Sequence, residues 1–234
     1  NLQSALVFQT DTMVSVEALD RSWGRITLGL GMTSATVAEL DTVEGETTDV
    51  EPTSVFRGLV RSDLWVELPT PFVREDLRSG LNLDARFGVD DDGGWYGAAT
   101  LRARFVARVA RDLVVVRHRS AVVGGSQLYF FDEVPVAGRF QRVYFGNHYW
   151  SDALAQLGVE YRKRITRDLH FSVWHDGSVV RDSDATDGVA VMNGFGPGVH
   201  VFAFNLFAID VTYGFGYSPR GFSHNMSLSL KTVY

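Results

Sequence analysis

Apolar and polar residues alternate with a period of two over unusually long stretches of this chain. Between Leu81 and Asp90 every second residue is apolar, and the same holds between Thr100 and Val109. The pattern returns between Phe207 and Tyr217 and again from Met226 to Leu230. Successive side chains of a β-strand point to opposite faces, so this alternation predicts an all-β chain whose strands each have one apolar and one polar face.

The length of these runs favours a membrane barrel over a soluble sandwich. Strands of soluble sandwiches are typically about 5–6 residues long, whereas a strand that crosses a bilayer needs about 9–11 residues. The second face of the runs is rich in arginine, which suits a water-filled lumen behind a lipid-facing wall. We therefore predict a transmembrane antiparallel β-barrel. The arginines assigned to the second face are Arg57, Arg61, Arg86, Arg102, Arg104, Arg108, Arg117, Arg119, Arg162 and Arg164.

The alternation divides the chain into about eleven strands joined by alternately short and long connections. Closed bacterial barrels usually have an even number of strands, so at least one strand either precedes Asn1 or lies within Gly125–Ser151. We favour the first and expect residues 1–234 to be a single outer-membrane barrel domain that is N-terminally incomplete. The predicted strands are 2–19, 24–37, 55–67, 77–89, 95–109, 113–124, 153–165, 169–181, 189–203, 206–217 and 225–234. The predicted longer, external connections are Ala38–Ser54, Asp90–Gly94, Gly125–Ser151, Asp182–Asp187 and Ser218–His224.

Composition argues against several classes of function. The 22 basic and 28 acidic residues give a net charge of −6, which argues against a nucleic-acid partner because phosphate binding needs a concentrated basic face. The chain has no cysteine, which excludes thiol catalysis and cysteine-ligated metals. The six histidines have no metal-ligand spacing, and the acidic loop Ala38–Ser54 has no calcium-binding register. We predict no metal site and no cofactor.

A hydrolase site on the barrel wall is the strongest catalytic alternative in the sequence. His170, Ser172 and Asp176 share one strand face, but that face points to the lumen and away from a lipid substrate. The chain also has no Gly-x-Ser-x-Gly nucleophile elbow. We therefore predict no catalytic residues and no enzymatic activity. The arginines of the lumen face are expected to pair instead with Asp84, Glu160, Asp176 and Asp210, or to favour anions in the pore.

Four segments in the second half of the chain carry a family resemblance through their order and spacing. They resemble the C-terminal half of the BamA-like outer-membrane transporter superfamily (the bacterial surface antigen family), whose members are sixteen-stranded barrels that insert or secrete proteins. The related barrel of patatin-like phospholipases belongs to the same superfamily. The resemblance implies that the eleven strands are the last eleven of sixteen. The segments are Gln156–Ile165, His170–Val180 with Asp176 and Gly177, Gly194–Val199, and the run from Ile209 to the terminal aromatic residue Tyr234.

The resemblance also implies a loop that enters the lumen. In this family the tip of a long loop carries an Arg-Gly-Phe or Arg-Gly-Tyr sequence, and its arginine pairs with acidic residues of the next two strands. The corresponding loop here, Gly125–Ser151, has Arg139 after a glycine instead of before one. We predict that Arg139 meets Glu160 and Asp176, and an ordinary external loop is the alternative. The intact Arg220-Gly221-Phe222 lies in a predicted external loop and is interpreted as coincidence.

The function implied by the resemblance is insertion or translocation of proteins at the bacterial outer membrane. The expected partners are outer-membrane lipids and lipopolysaccharide, the barrel-assembly machinery, and client or passenger proteins. Tyr234 resembles the C-terminal signal by which outer-membrane proteins are recognised for assembly. The alternative is a membrane anchor or translocator barrel for an upstream enzyme, such as a patatin-like lipase, or for an autotransporter passenger. The resemblance implies an upstream periplasmic or enzymatic domain. Periplasmic modules before Asn1 would favour the first hypothesis, and a lipase or passenger domain would favour the second.

Overall fold

The fold is a single long antiparallel sheet with a short ladder beside it. The computed structural model describes residues 4–40, 53–68, 79–126, 134–136, 142–143, 150–182, 188–203, 207–219 and 221–232. The strands are β1 (Ser4–Arg21), β2 (Gly24–Leu40), β3 (Thr53–Leu68), β4 (Ser79–Asp90), β5 (Trp95–Val109), β6 (Asp112–Gly125), β7 (Val134–Pro135), β8 (Trp150–Ser151), β9 (Ala153–Arg164), β10 (Leu169–Arg181), β11 (Val189–Ala203), β12 (Phe207–Ser218) and β13 (Gly221–Thr232).

Eleven of these strands form the main sheet, each pairing with its neighbours in the chain. The order is β1-β2-β3-β4-β5-β6-β9-β10-β11-β12-β13, and every ladder is antiparallel. The pair β7–β8 forms a separate two-stranded sheet within the connection from β6 to β9. No helix among the described residues is long and apolar enough to cross a membrane. The predictions of an all-β chain and of eleven strands are confirmed.

The prediction of a longer external loop at Ser218–His224 is wrong. Strand β12 ends at Ser218 and β13 begins at Gly221, so a tight turn replaces the loop. Phe222 pairs with Tyr217, and His224 pairs with Phe215. The alternation therefore continues to the turn, and the polar residues Ser223 and Asn225 occupy its second face. Gly221 adopts a φ of 121°, a conformation that side chains with a Cβ rarely adopt.

The main sheet has two chemically opposite faces. One, which we call the apolar face, exposes large hydrophobic side chains on every strand whose side chains are described. Exposure of so continuous an apolar surface is unfavourable in water and is typical of a wall in contact with lipid. Its members include Val14, Leu30, Val60, Phe87, Phe105, Val122, Val159, Val173, Val191, Phe195, Tyr213 and Leu228.

The opposite face, which we call the polar face, holds most of the buried polar and charged side chains. On β3 and β4, Arg57 bonds Asp90, while Asp84 accepts hydrogen bonds from Arg61 and Arg86. These groups are paired, as buried charges must be. Two apolar clusters lie on the same face beyond the charged region. One contains Tyr96, Ala121, Val123, Val136, Leu154, Val180, Ala190 and Met192, and the other contains Val106, Leu113 and Val115.

Candidate functional site

Two acidic side chains lie buried in the middle of the polar face. The strict alternation of β9 and β10 turns Glu160 and Asp176 to this face, where they are 1% and 0% exposed. Gly158, opposite Asp176 in the ladder, makes room for them. A Cβ at Gly158 would lie 2.7 Å from Asp176 Oδ1, closer than van der Waals contact allows. Glycine at this position therefore lets the carboxylate lie across the neighbouring strand.

Both acids bind one arginine from the connection between β6 and β9. Arg142 Nε and Nη2 donate to Asp176 Oδ2 and Oδ1 at 3.0 and 3.1 Å, a bidentate pairing. Its Nη1 donates to Glu160 Oε2 at 3.2 Å, and its backbone N–H donates to Asp176 Oδ2 at 3.0 Å. We call Arg142, Glu160 and Asp176 the arginine lock. A planar guanidinium suits this site because its donors can engage two carboxylates at once.

The described parts of this connection, residues 134–136 and 142–143, pack against the polar face, and we call them the inner segment. Val136 and Val143 are 3% and 1% exposed. The Val136 carbonyl accepts a hydrogen bond from Gln156 Nε2 at 2.9 Å, and the Arg142 carbonyl accepts one from Asn225 Nδ2 at 3.0 Å. These contacts join the inner segment to β9 and, across the polar face, to β13.

The indole ring of Trp174 packs against the arginine of the lock. The Arg142 guanidinium carbon lies 4.4 Å from the centre of the Trp174 ring, a cation–π distance. The indole Nε1 donates to the Pro197 carbonyl at 3.2 Å. A Cβ at Gly214 would lie 2.8 Å from Trp174 Cη2 and 2.9 Å from Val143 Cγ2. Glycine at position 214 therefore leaves the space that the Trp174 indole occupies, and Arg142 packs against that indole.

Further cations balance the two acids. Arg162 Nε donates to Glu160 Oε1 at 2.9 Å, and Arg117 Nη2 donates to Glu160 Oε2 at 3.1 Å. Removing charges from water costs several kcal/mol per ion, so such a cluster persists only when its charges are nearly all paired. The lock meets that requirement because each carboxylate has at least two donors.

Two of the residues predicted from the sequence, Arg139 and Tyr234, lie outside the described residues. Both assignments therefore stay predictions. Glu160 and Asp176 lie together as the sequence indicated, and the arginine that the structure places between them is Arg142. Trp174, Asn225 and Arg142 were not singled out from the sequence, although the alternation of β10 already turned Trp174 to the face of Asp176.

The catalytic alternative weighed from the sequence does not assemble. Ser172 Oγ lies 2.9 Å from Nε2 of His200, and the His170 ring instead packs edge-on against Phe202, with ring centres 5.3 Å apart. His200 Nδ1 lies 2.7 Å from Asp210 Oδ1, which gives a serine–histidine–aspartate chain. However, His200 Nε2 also lies 2.8 Å from Glu160 Oε1. This ring nitrogen is therefore shared between Ser172 and a carboxylate, and the histidine beside Ser172 is His200 and not the His170 of the sequence-based alternative.

Nothing in the described part of the chain groups three or more histidine, cysteine or acidic side chains as a metal site would require. The arrangement on the polar face is therefore one of mutually paired charges. What it can do chemically is hold a segment of chain against the sheet by ion pairs.

Comparisons with known proteins identify similar folds among solved structures. No family model matches the sequence, and no curated protein matches it. Among solved structures, CdiB from Acinetobacter baumannii is similar over 98% of this chain and 42% of its own, with a TM-score of 0.65 and 11% identity. BamA from Haemophilus ducreyi lacking POTRA domains 1–3 is similar over 98% of this chain and 55% of its own, with a TM-score of 0.65 and 8% identity.

This chain spans about half the length of those two structures. Its fold is that of outer-membrane β-barrels, and the resemblance to BamA-like barrels is confirmed at the level of the fold. In that fold the apolar face corresponds to the lipid-facing side of the wall and the polar face to the lumen side. The arginine lock therefore holds the inner segment on the lumen side of the sheet.

Proposed function

We propose that this chain, which has the barrel fold seen in CdiB and BamA, is the barrel of a protein that inserts or translocates proteins at the bacterial outer membrane. The observation that supports the proposal is the position of Arg142 on the polar face, bonded to Glu160 and Asp176. The inner segment lies across the path that a translocated chain would take. The lock is the contact that holds it there.

The chemistry of the lock favours a reversible plug over a purely structural filling. Buried ion pairs are weak stabilisers, because the loss of hydration offsets most of their attraction. Apolar side chains of similar size would fill a static lumen at least as stably. An ion-paired arginine, in contrast, gives a segment one specific position and can be hydrated when it leaves. This supports a barrel whose lumen opens during its working cycle.

The proposed partners follow from the two faces of the wall. The apolar face would contact outer-membrane lipids and lipopolysaccharide. Tyr213, Phe215, Phe222 and His224 form a cluster of ring contacts on that face near the β12–β13 turn, as expected for an aromatic girdle at a membrane interface. Client or passenger proteins would pass the lumen, and the barrel-assembly machinery would recognise the C-terminal strand.

The proposal is tested with the native full-length protein in liposomes. Urea-unfolded outer-membrane proteins are added as clients, and their folding is followed by protease protection. The double variant Glu160→Gln with Asp176→Asn keeps side-chain shape but removes both charges of the lock, so it should lower the yield of inserted client several-fold. Asp152→Asn, which alters an exposed pair with Arg181, is the matched control and should leave the yield unchanged.

The same assay separates the proposal from the anchor hypothesis. A barrel that only anchors an upstream enzyme or passenger does not need a releasable plug. Equal client insertion by liposomes with and without the protein, together with normal display of the upstream domain, would favour the anchor. Unchanged insertion by the lock variant would remove the lock from the mechanism.

A folded barrel should stay folded in detergent and show a different electrophoretic migration from the unfolded chain. We expect unboiled protein in detergent to migrate faster than boiled protein, because the continuous hydrogen-bonded sheet keeps the folded chain compact. Substituting Leu101→Arg on the apolar face should weaken the folded form by about 2–4 kcal/mol if the position lies near the bilayer centre. Identical migration of boiled and unboiled protein would contradict a barrel in the isolated protein.

The C-terminal aromatic residue is proposed as an assembly signal. Tyr234 lies beyond the described residues, and in the sequence it is an even number of residues from Met226, Leu228 and Leu230, which are exposed on the apolar face of β13. We expect Tyr234→Ala to reduce the amount of barrel assembled in cells while leaving refolding in detergent nearly unchanged, since recognition and not packing is lost. Thr232→Ala is the control. Equal cellular assembly of both variants would show that Tyr234 has no signalling role.

A further inference from the structure

Four arginines form a block on the polar face of β5 and β6. In the ladder of these strands Arg102 lies directly opposite Arg119, and Arg104 lies directly opposite Arg117. We call these four residues the arginine block. Arg117 also donates to Glu160 Oε2 at 3.1 Å, so the block adjoins the arginine lock. Like charges directly opposite each other destabilise a sheet, and an anion bound between them would offset that cost.

Neutral amides hold the two arginines of one row from either side. Arg102 Nη1 donates to Asn82 Oδ1 at 3.2 Å, and Arg119 Nη1 donates to Gln156 Oε1 at 3.5 Å. Asn82 and Gln156 are also the ladder partners of these arginines on β4 and β9. The row therefore runs amide, arginine, arginine, amide across four consecutive strands of the sheet.

Both amides are themselves fixed by further hydrogen bonds. Asn82 Nδ2 donates to Asp63 Oδ2 at 3.0 Å. Gln156, which is 1% exposed, donates through Nε2 to the Val136 carbonyl of the inner segment at 2.9 Å and to Ser178 Oγ at 3.1 Å. Each amide therefore turns its carbonyl oxygen to the neighbouring arginine. This contact orients a guanidinium and leaves its positive charge in place.

The block is accessible from the lumen side of the sheet, and its spacing suits an extended chain. Arg102 is exposed, and the other three arginines are partly exposed. The two rows are two residues apart along each strand, which is about 6.6–6.8 Å. Carboxylates at positions i and i+2 of an extended peptide share one face and have the same spacing. Arginine suits such a ligand because its planar guanidinium binds a carboxylate bidentately.

We propose that the arginine block is a binding site for acidic stretches of an extended polypeptide, whose carboxylates at alternate positions bind the two rows. The inference rests on the proposed function, because an inserted or translocated chain would meet this face before it folds. A strand destined for a barrel wall alternates apolar and polar side chains, so its polar side chains recur at i and i+2. The block would then contact the client beside the inner segment.

The test is calorimetric titration of the native full-length protein, folded in a neutral detergent, with a short peptide in which glutamate alternates with serine. The double variant Arg102→Gln with Arg119→Gln should raise the Kd at least about tenfold, because two charge-assisted pairings are lost. Replacing both arginines by lysine should raise it less, since the charges stay and only the planar fork is lost. Arg108→Gln with Arg181→Gln removes the same charge at exposed positions outside the block and should change the Kd less than about twofold.

Further probes test the commitment to an extended acidic chain. A peptide with the same number of glutamates at every third position should bind several-fold more weakly, because successive carboxylates then point to opposite faces. Inorganic phosphate should compete only weakly with the alternating peptide. Equal binding of the two peptides, or tighter binding of phosphate, would show a general anion site and overturn the proposal. An equal Kd in the parent protein and the glutamine double variant, or no binding by the parent protein, would overturn it as well.

A thiol reporter shows whether the variants keep the inner segment in place. The chain has no cysteine, so Val143→Cys introduces a single thiol at a position that is 1% exposed. A maleimide reacts with this thiol only when the inner segment leaves the polar face. Slow labelling in both double variants, with faster migration of the unboiled protein, assigns a lost affinity to the arginines themselves.

Failure of this inference is distinguishable from failure of the proposed function. If client insertion depends on Glu160 and Asp176 while peptide binding does not depend on the block, only the acidic recognition fails. If peptide binding depends on the block while client insertion is the same with and without the protein, the binding site stands and the proposed function fails.

Discussion

Replacing Arg142 by glutamate is expected to expel the inner segment from the lumen and to destabilise the folded barrel. The change places a third acid beside Glu160 and Asp176, both essentially inaccessible to water. Removing one partner of a buried ion pair already costs about 3–5 kcal/mol, because the remaining charge stays buried without its counter-ion. The like-charge contact adds to that cost. The measurements are the urea midpoint of unfolding in detergent and the labelling of a cysteine at position 143.

The controls for this prediction use other arginines of the chain. Arg181→Glu alters an exposed pair with Asp152 and should change stability by less than about 1 kcal/mol. The double variant Arg142→Asp with Asp176→Arg should recover part of the lost protection, but not all of it, since Arg117 lies near the new guanidinium. Arg139→Glu tests the arginine predicted from the sequence. A large effect at Arg139 with indifference at Arg142 would assign the lock to Arg139.

The second large effect is expected at Gly196, where the backbone of β11 runs beneath the Trp174 indole. An added Cβ would overlap the carbonyl oxygen of Tyr213 on β12 and would lie 3.0 Å from Trp174 Cζ2. The first neighbour is backbone and cannot rotate away, so the β11–β12 ladder must separate locally. We expect Gly196→Ala to cost at least about 3 kcal/mol and to raise labelling at position 143, because Trp174 also supports Arg142.

Gly124→Ala is the matched control for the glycine prediction. Gly124 also lies in a strand of the main sheet, but a Cβ there would meet no atom within 4 Å. The substitution should therefore be neutral or slightly stabilising, because alanine restricts the unfolded chain more than glycine does. Equal urea midpoints for both glycine variants would mean that the indole and the β12 backbone can move aside without cost.

The sequence predicted the sheet well because one physical signal, the period of two, runs through nearly all of it. The predicted strands 95–109, 169–181 and 189–203 have the same bounds as β5, β10 and β11. The boundary at Ser218–His224 was wrong because serine and glycine, which are common in loops, are also tolerated on the lumen face of a barrel. Alternation continued through them, and cross-strand pairing decided the outcome.

The site was only partly predictable, for a different reason. Glu160 and Asp176 could be identified because alternation fixes which face each strand residue occupies. Arg142 lies in a connection that has no such period, and neither adjacent residue is glycine, so the family pattern directed attention to Arg139. His200 and Asp210 are ten residues apart and meet only through the β11–β12 register. Contacts of this kind depend on strand pairing, which composition does not encode.

The inner segment is covalently tied at both ends to strands that pair with each other, since β6 is joined directly to β9 in the sheet. After release it stays tethered near its site, at an effective concentration of about millimolar. Rebinding is then a local, unimolecular event that needs no search. A lock of modest intrinsic affinity therefore suffices to keep the lumen occupied at rest. Under the proposed function, a translocated chain would have to compete continuously with the inner segment for this space, so the segment would return without a separate closing step.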